Sequence, residues 1–522
     1  MTTPRDPVVI VGAGPVGVAC ALLLAKRGVA TVILERHREP YPLPRAVHLD
    51  DEVFRILQAV GVDEKFAPHT RAMPGMRLIN GRGRVMTEFT RNTDDGRNGF
   101  PPDSMFDQPD LERVLLEEAA TAELIDLRRG CQVIEVAGGA RPVVCYQNSS
   151  GGTDFVDTAA VIGCDGANSP VREQLGITMR DFDFDEQWLV IDVLTPAPLD
   201  VWSGVHQICD PQRAATFMPV TGNRYRWEFR VHDDEDLNAL QSADALRALL
   251  SPWMTEAELA ESEVMRQAFY TFRARVAKTW RDGRVFLAGD AAHQTPPFVG
   301  QGLGSGLRDA FNLTWKLADV LDGVAPEMLL DTYESERKPH ATRIILMALA
   351  VGWALTGGQD RLASVRRALV TAACHIPRIG DALPEGSPSL NHGPLVQRRG
   401  MRSRLNGTLF PQPWVRTPDG ARRLDDLLGQ RYALITRGPL GDHTAARLAS
   451  MGGLTHIDVD DLAYVPSTNP SPSAVLRTHH THAVLLRPDR VVMASARTDA
   501  NVDDLLSTYQ RAHCTDAKKV PV

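Results

Sequence analysis

Residues 8–17 read VVIVGAGPVG, and the fold is decided there. Val8 to Val11 form a short apolar, β-branched run of the kind that fills a buried parallel strand, and Gly12-Ala13-Gly14-Pro15-Val16-Gly17 follows it as GxGxxG. Gly12 permits the tight bend, Gly14 lets a pyrophosphate approach the backbone, and Gly17 lets the next helix pack closely on the strand. The Ala/Leu-rich stretch from Val16 to Lys26 supplies that helix, whose first N–H groups would face an anion, and Ala30 to Leu34 supplies a second strand. Glu35 ends that strand 18 residues after Gly17, where a carboxylate accepts hydrogen bonds from a ribose 2′-hydroxyl. Arg36, next to it, is a further cofactor candidate. The order strand, turn, helix, strand opens a doubly wound α/β sheet, and the acidic residue suits FAD or NAD rather than NADP.

Outward from that unit the texture changes twice. From about 181 to 280 come β-rich runs such as WLVIDV, RAATFMPV and RYRWEFRV, which read as an inserted sheet. At Arg284 a buried strand, VFLA, returns to the first domain and is followed by a glycine-rich turn and a long helix. Gly, Pro and Ser accumulate between about 357 and 420, and beyond them RYALIT, LTHIDV and AVLLRPDRVVMAS belong to a separate small α/β unit. The expected division is a dinucleotide-binding domain of residues 1–180 and 281–356, a substrate-binding β-sheet domain of 181–280, a helix and linker of 357–399, and a C-terminal domain of 400–522.

Composition narrows the function. The formal net charge is −8 with no long basic run, which argues against a nucleic-acid partner. Seven scattered cysteines form no CxxC, so neither a zinc site nor a disulfide framework is expected, and a reducing, cytoplasmic location fits. The N-terminus shows no secretory pattern. The apolar run Ile344 to Leu355 is about half the ~20 residues a membrane span requires and reads as a buried helix. His479, His480 and His482 crowd one segment but read as exposed histidines, leaving no metal site expected. Asp50-Asp51-Glu52 place negative charge in the first turn of the helix EVFRILQAV.

Two further motifs carry chemistry. AAVIGCDGANSPVR, residues 159–172, contains Asp165-Gly166. RVFLAGDAAHQTPPFVGQGLGSGLRDAFNLTWKL, residues 284–317, delivers Asp290 to the end of a strand, where a carboxylate can hold a polyol hydroxyl. Pro296-Pro297 then stiffen a loop, and Gly300-Gln301-Gly302 open a helix whose N-terminus would stabilise a developing anion.

GxGxxG, the DG segment and the GD segment, in this order, closely resemble the single-component flavoprotein aromatic hydroxylases of the para-hydroxybenzoate hydroxylase type. The resemblance spans about residues 6 to 350. PRAVHLDDEVFRILQAVGV (44–62), FDQPDLERVL (106–115) and DTYESERKPHA (331–341) look most like 3-(3-hydroxyphenyl)propionate hydroxylases, with aromatic polyketide hydroxylases and Baeyer–Villiger enzymes as the neighbouring branch. The resemblance implies a Rossmann-like FAD-binding domain, an inserted sheet and a thioredoxin-like C-terminal domain, which has only Cys514 and so no dithiol. It implies non-covalent FAD, with NADH or NADPH as transient reductant and dioxygen as co-substrate, acting on a phenol in aromatic compound catabolism. Position by position, Gly12, Gly14, Gly17 and Glu35 would hold the ADP half; Arg45 the pyrophosphate; Gln108 the ribityl chain, with Arg113 on the same helix; Asp165 and Gly166 the region near the pyrophosphate and nicotinamide; Asp290 the ribityl chain. Pro296 would sit beside the isoalloxazine, and Gln301 and Gly302 would offer it backbone N–H groups.

A phenol reacts best as phenolate, so a group that polarises its hydroxyl is expected. His48 is one candidate, although relatives often carry glycine there, and Tyr270 in FYTFRARVA is another. The rivals are a flavin dehydrogenase on the same scaffold and a non-catalytic binder like the GDP-dissociation inhibitors. The oligomeric state is open, a homodimer being one reading.

Overall fold

In a computed structural model, residues 5–42, 45–210, 212–356, 387–398, 404–467 and 469–513 are described. Val8–Val11 is the strand expected, with all four residues buried, and pairs in parallel with Thr31–Glu35 on one side and Ala160–Gly163 on the other. The full sheet runs Arg281–Asp282, Val285–Leu287, Ala160–Gly163, Val8–Val11, Thr31–Glu35, Ile125–Arg129. It is parallel except at the short Arg281–Asp282 edge. The three chemical motifs therefore leave the same end of one sheet, because parallel strands present all their carboxyl ends together.

The inserted sheet is wider than residues 181–280. Eight strands run in the order His293–Gln294, Glu263–Ala277, Met179–Leu194, Arg224–Arg230, Ala215–Pro219, Val205–Cys209, Gly75–Asn80, Val85–Thr90. The last two come from the stretch assigned to the first domain, with Gly75–Asn80 joining in parallel to Val205–Cys209. Their half-exposed, charge-bearing sequence hides the alternation that marks a strand. In the central strands the alternation is clear. Leu189, Ile191, Val193, Phe217, Tyr225, Trp227 and Phe229 pack outward beneath Leu237, Leu246, Leu250 and Leu259 of three short helices. Asp192, Met218, Arg226 and Glu228 alternate with them and so occupy the opposite face. There Met218, Val205 and Val220 pack with Val47, Met73 and Met105 of the first domain.

The C-terminal unit has strands Tyr432–Thr436, Leu454–Asp458, Ala483–Leu486 and Val492–Ala496 in the order second, first, third, fourth, with only the first pair parallel. Helices precede the second and third strands and follow the fourth, which is the thioredoxin-like arrangement. It is not the separate layer expected from the sequence. Tyr432, Leu434, Leu485, Met493, Leu505 and Leu506 share one core with the first domain. Most of the expected helix and linker of 357–399, together with Cys374 and Cys514, lies outside the described residues. No described helix is long and apolar enough to cross a membrane. Among the described residues no cluster of His, Cys, Asp or Glu could hold a metal ion.

Candidate functional site

The fingerprint turn has the geometry its glycines imply. Gly12 has φ +103°, and a Cβ there would lie 2.5 Å from the Cys164 carbonyl oxygen; one on Gly17 would lie 2.1 Å from the Gly12 oxygen. A Cβ on Gly14 would meet nothing within 4 Å, so the open side of the turn is at this glycine. Helix Pro15–Ala25 starts there with proline first and no side-chain cap, leaving its first N–H groups facing that space. Glu35 accepts from the N–H groups of Ala13 and His37, both at 2.8 Å, which fixes its carboxylate beside the turn. Gln108 is buried, accepts from the Ala46 N–H at 2.7 Å and donates to Glu112.

The DG and GD segments are tied together. Arg172 donates to the Ala291 and Ala167 carbonyls, both at 3.1 Å, and is thus the brace between the two. Asp165 accepts from the Val171 N–H, while its Oδ1 is buried without a partner. Gly289, with φ +63°, donates to Asp309 and turns Asp290 outward. Asp290 is exposed and makes no hydrogen bond among the described residues, yet desolvation pushes its carboxyl above the usual range, as expected on the floor of a cleft. Asp309 also accepts from His293 at 2.7 Å and Arg337 at 2.8 Å. Arg337 lies in the DTYESERKPHA segment, and this ion pair is what that segment contributes to the site.

Pro296 adopts an extended conformation and leads into the turn Pro297–Val299, which Gly300 closes at φ +61°. Helix Gly302–Leu321 begins immediately after, and a Cβ on its Gly306 would lie 2.6 Å from Val16 and 3.1 Å from the Gly289 backbone. Only glycine lets this helix lie against both the fingerprint helix and the GD turn. The helix has no side-chain cap, and the Gln301 side chain is turned away and clamped. It donates to Asp50 at 2.9 Å and accepts from Arg308 at 2.8 Å. Arg308 also holds Asp50 and Glu52, which keep its guanidinium firmly protonated despite full burial. The acidic run 50–52 thus does more than charge a helix end: Asp50 caps the helix and anchors the loop.

His48 is brought beneath that loop rather than into open space. Its Nε2 lies 2.8 Å from Asp103 and its Nδ1 3.5 Å from the Gly300 carbonyl oxygen. Burial opposes its charged form, but Asp103 and Asp50 hold its pKa above the ordinary value. His48 thus pairs with Asp103 and lies against the Gly300 loop. Tyr270 lies on the inner face of the large sheet, with the Arg266 guanidinium 4.5 Å over its ring. Burial raises its pKa, which works against a role as base. Phe298 meets Phe184 and Trp188 edge-on at 5.8 and 5.9 Å and closes an aromatic wall between loop and sheet.

Two cofactor candidates are not brought to this groove. Arg113 is exposed and pairs with Glu117 at 3.0 Å and Asp110 at 3.4 Å. Five residues along a helix is a turn of about 140°, so Arg113 and Gln108 leave the helix on different faces. Arg36 is exposed against His37. Arg45 is exposed at the groove, with its guanidinium 4.6 Å over Tyr41. The sequence reading missed Asp309, Arg308, Asp103 and Arg337. Of these, Arg308 and Asp309 stand inside the third motif, where LRDAF could have flagged a charged pair on an otherwise apolar helix, and Arg337 stands inside DTYESERKPHA.

Open Gly14, the uncapped helix ends, the ordered Glu35 and the unpartnered Asp290 fit a dinucleotide lying along the sheet's carboxyl edge. Comparison with known proteins agrees. Residues 5–348 match the family described as FAD binding domain, and residues 407–512 match the HcaD C-terminal domain. The chain is 34% identical over 95% of its length to a probable NADH-specific resorcinol 4-hydroxylase of Rhodococcus jostii, covering 93% of that protein. It is 35% identical over 83% of its length to a 3-(3-hydroxy-phenyl)propionate/3-hydroxycinnamic acid hydroxylase of Burkholderia vietnamiensis, covering 79% of it. Among solved structures, the anhydrotetracycline hydroxylase OxyS from Streptomyces rimosus superposes with a TM-score of 0.76 at 26% identity, over 98% of this chain and 99% of that one.

Proposed function

The chain belongs to the FAD binding domain family and is an FAD-dependent oxidoreductase, and from that premise we propose that it hydroxylates a small phenol of the resorcinol or 3-hydroxyphenyl type with NADH and dioxygen. The observation that carries this reading is the meeting of two surfaces at Gly300-Gln301-Gly302. On one side is the dinucleotide groove; on the other is a sheet face walled by Phe184, Trp188 and Phe298. When bound, FAD supplies the chemistry of taking a hydride from the nicotinamide and activating dioxygen.

The rest falls to the chain's own residues. Gly12, Gly14, Gly17 and Glu35 would hold the ADP half, Gln108 and Asp290 the chain that links it to the ring system, and Arg45, Asp165 and Gly166 the entry for the nicotinamide. The N–H groups at Gln301 and Gly302 would face negative charge that develops on the cofactor, since an uncapped helix N-terminus favours an anion. Pro296 and the aromatic wall would position the substrate ring and keep water out, which limits loss of reducing equivalents as hydrogen peroxide.

The likeness to the polyketide hydroxylase favours a second reading, a larger fused aromatic substrate. A substrate panel separates the two. Purified yellow protein is given NADH and air with resorcinol, 3-(3-hydroxyphenyl)propionate or an anhydrotetracycline-like polyketide. We expect a single-ring phenol to accelerate NADH oxidation and yield a product one oxygen atom heavier. Acceleration by the polyketide alone would replace this reading with the second.

A further inference from the structure

We propose that Glu228 is the residue that takes the phenolic proton of the substrate. This rests on the phenol-hydroxylase reading above and names the proton acceptor that reading lacks. Glu228 lies in the strand RYRWEFR, where Trp227 and Phe229 point into the outer core and Glu228 therefore points to the face opposite. Its register partners are Thr216 on one side and Val190 on the other, and Val190 is followed by Ala268. The side chains beside this carboxyl in the sheet are therefore short.

The next row along the same face is Met218, Arg226, Asp192 and Arg266. Asp192 is fully engaged there: it binds Arg226 at 2.7 and 3.1 Å and lies 3.7 Å from Arg266. Glu228 is different. Its nearest cation, Arg226 Nη1, is 3.9 Å away, beyond hydrogen-bond range, and among the described residues its carboxyl makes no hydrogen bond at all. The side chain is 12% exposed, so the carboxyl is mostly desolvated but still reachable. The same Nη1 donates to the Arg45 carbonyl at 2.7 Å, which ties this row to the segment that runs on to His48 and the Gly300 loop.

The chemistry suits the position. Charged groups facing Glu228 are Arg226 on its own strand, Asp192 on the adjacent strand and Arg266 beyond it; Tyr270, with Tyr41 and Arg45 against it, stands at the flank. Burial raises the Glu228 carboxyl above its ordinary range while Arg226 opposes that rise, which brings it toward the range in which a carboxylate accepts a proton usefully. In the step, the phenol O–H breaks and an O–H forms on Glu228. No electrons are transferred. Two guanidiniums then face the single remaining carboxylate of Asp192, and the excess positive charge favours the phenolate. As aromaticity is restored, the C–H bond at the newly oxygenated carbon breaks with its proton passing to solvent water and its electron pair to the ring, and the proton held on Glu228 returns to the ring oxygen.

The test uses full-length holoenzyme carrying Glu228→Gln, with Glu228→Asp as the conservative partner. We expect FAD content to be retained and kcat for resorcinol to fall roughly 10²–10⁴-fold near neutral pH. The acid limb of the wild-type pH profile should move in Glu228→Gln to the pH at which the bound phenol itself ionises, more acidic fluorinated resorcinols should recover part of the rate, and Glu228→Asp should recover part of it with the parent substrate. A readout without turnover is fluorine NMR of a fluorinated resorcinol bound to oxidised enzyme in the absence of NADH. In wild type the ionised fraction should vary with pH less steeply than in the glutamine variant, because the proton stays on Glu228 instead of leaving to solvent. Unchanged kcat, pH profile and bound ionisation in Glu228→Gln overturn the assignment alone, and if that variant does not fold, the same result in Glu228→Ala does so. A wild-type enzyme that hydroxylates no phenol overturns the function reading and this assignment with it.

Discussion

At the scale of the residue, the site divides into positions legible from the sequence and positions that only folding assembles. Gly12, Glu35 and Asp290 belong to contiguous motifs whose local geometry dictates their residue types. Asp290 and Glu35 are also where single changes should act on the cofactor: Asp290→Ala and Glu35→Ala should each weaken FAD binding by roughly 1–3 kcal/mol if a charge-assisted hydrogen bond is lost. That is about five- to 150-fold in dissociation constant. Titration of apoprotein with FAD, read by flavin fluorescence, checks this, and unchanged affinity in both variants would refute the cofactor placement. His48 was readable as a candidate, but its surroundings were not. Its partner Asp103 lies 55 residues away and its neighbour Gly300 lies 252 away, and no local pattern in the sequence links them. Glu228 was hidden for a similar reason. In RYRWEFR a lone glutamate reads as one more solvent-facing strand position until the sheet is folded against the first domain.

Elements were legible in proportion to their burial. The strand Val8–Val11 and the helix Gly302–Leu321 are apolar enough to declare themselves, whereas Gly75–Asn80 and Val85–Thr90 are the last two strands of the large sheet, have mixed faces and were read as part of the first domain. Charged side chains in the helix Gly302–Leu321 carry a second layer of information that sequence reasoning takes for solvation. Lys316 is fully buried and bonds Glu336 at 2.8 Å, and Arg487 from the C-terminal unit reaches the same carboxylate at 2.7 and 3.0 Å. One carboxylate serves two cations. Burial alone would raise Glu336, but Arg487 and Lys316 hold it at about 2, while Lys316, desolvated and beside Arg487, falls to about 8. Glu336→Gln should therefore destabilise the protein by about 3–5 kcal/mol by leaving the buried Lys316 without its carboxylate, while Arg487 keeps its pair with Asp489. Because the folded pKa is depressed, the stabilisation is complete above the ordinary carboxyl value of 4.5 and is lost as pH falls toward about 2. Chemical denaturation of both proteins at falling pH should show the gap between them closing across that window; a gap independent of pH would contradict the assignment.

At the scale of the whole molecule, the three-part architecture was visible in changes of texture along the chain, but the joints were not. Arg55 donates from Nε and Nη2 to the two oxygens of Asp425, Asn312 donates to Asp489, and Trp315 meets Tyr432 edge-on, so the C-terminal unit backs the helix Gly302–Leu321. A Gly/Pro/Ser-rich stretch suggested independence because such composition reports chain flexibility and says nothing of what the following unit packs against. The central claim is that these parts together bring FAD, NADH, dioxygen and a phenol to one loop and move one oxygen atom onto the ring. Turnover under isotopically labelled dioxygen tests it most directly, with resorcinol or 3-(3-hydroxyphenyl)propionate as substrate and NADH consumption followed in parallel. The account predicts one labelled oxygen atom in each product molecule for each NADH coupled to hydroxylation. A product carrying no label, or NADH oxidation that proceeds at full rate without dioxygen when another acceptor is supplied, would contradict it.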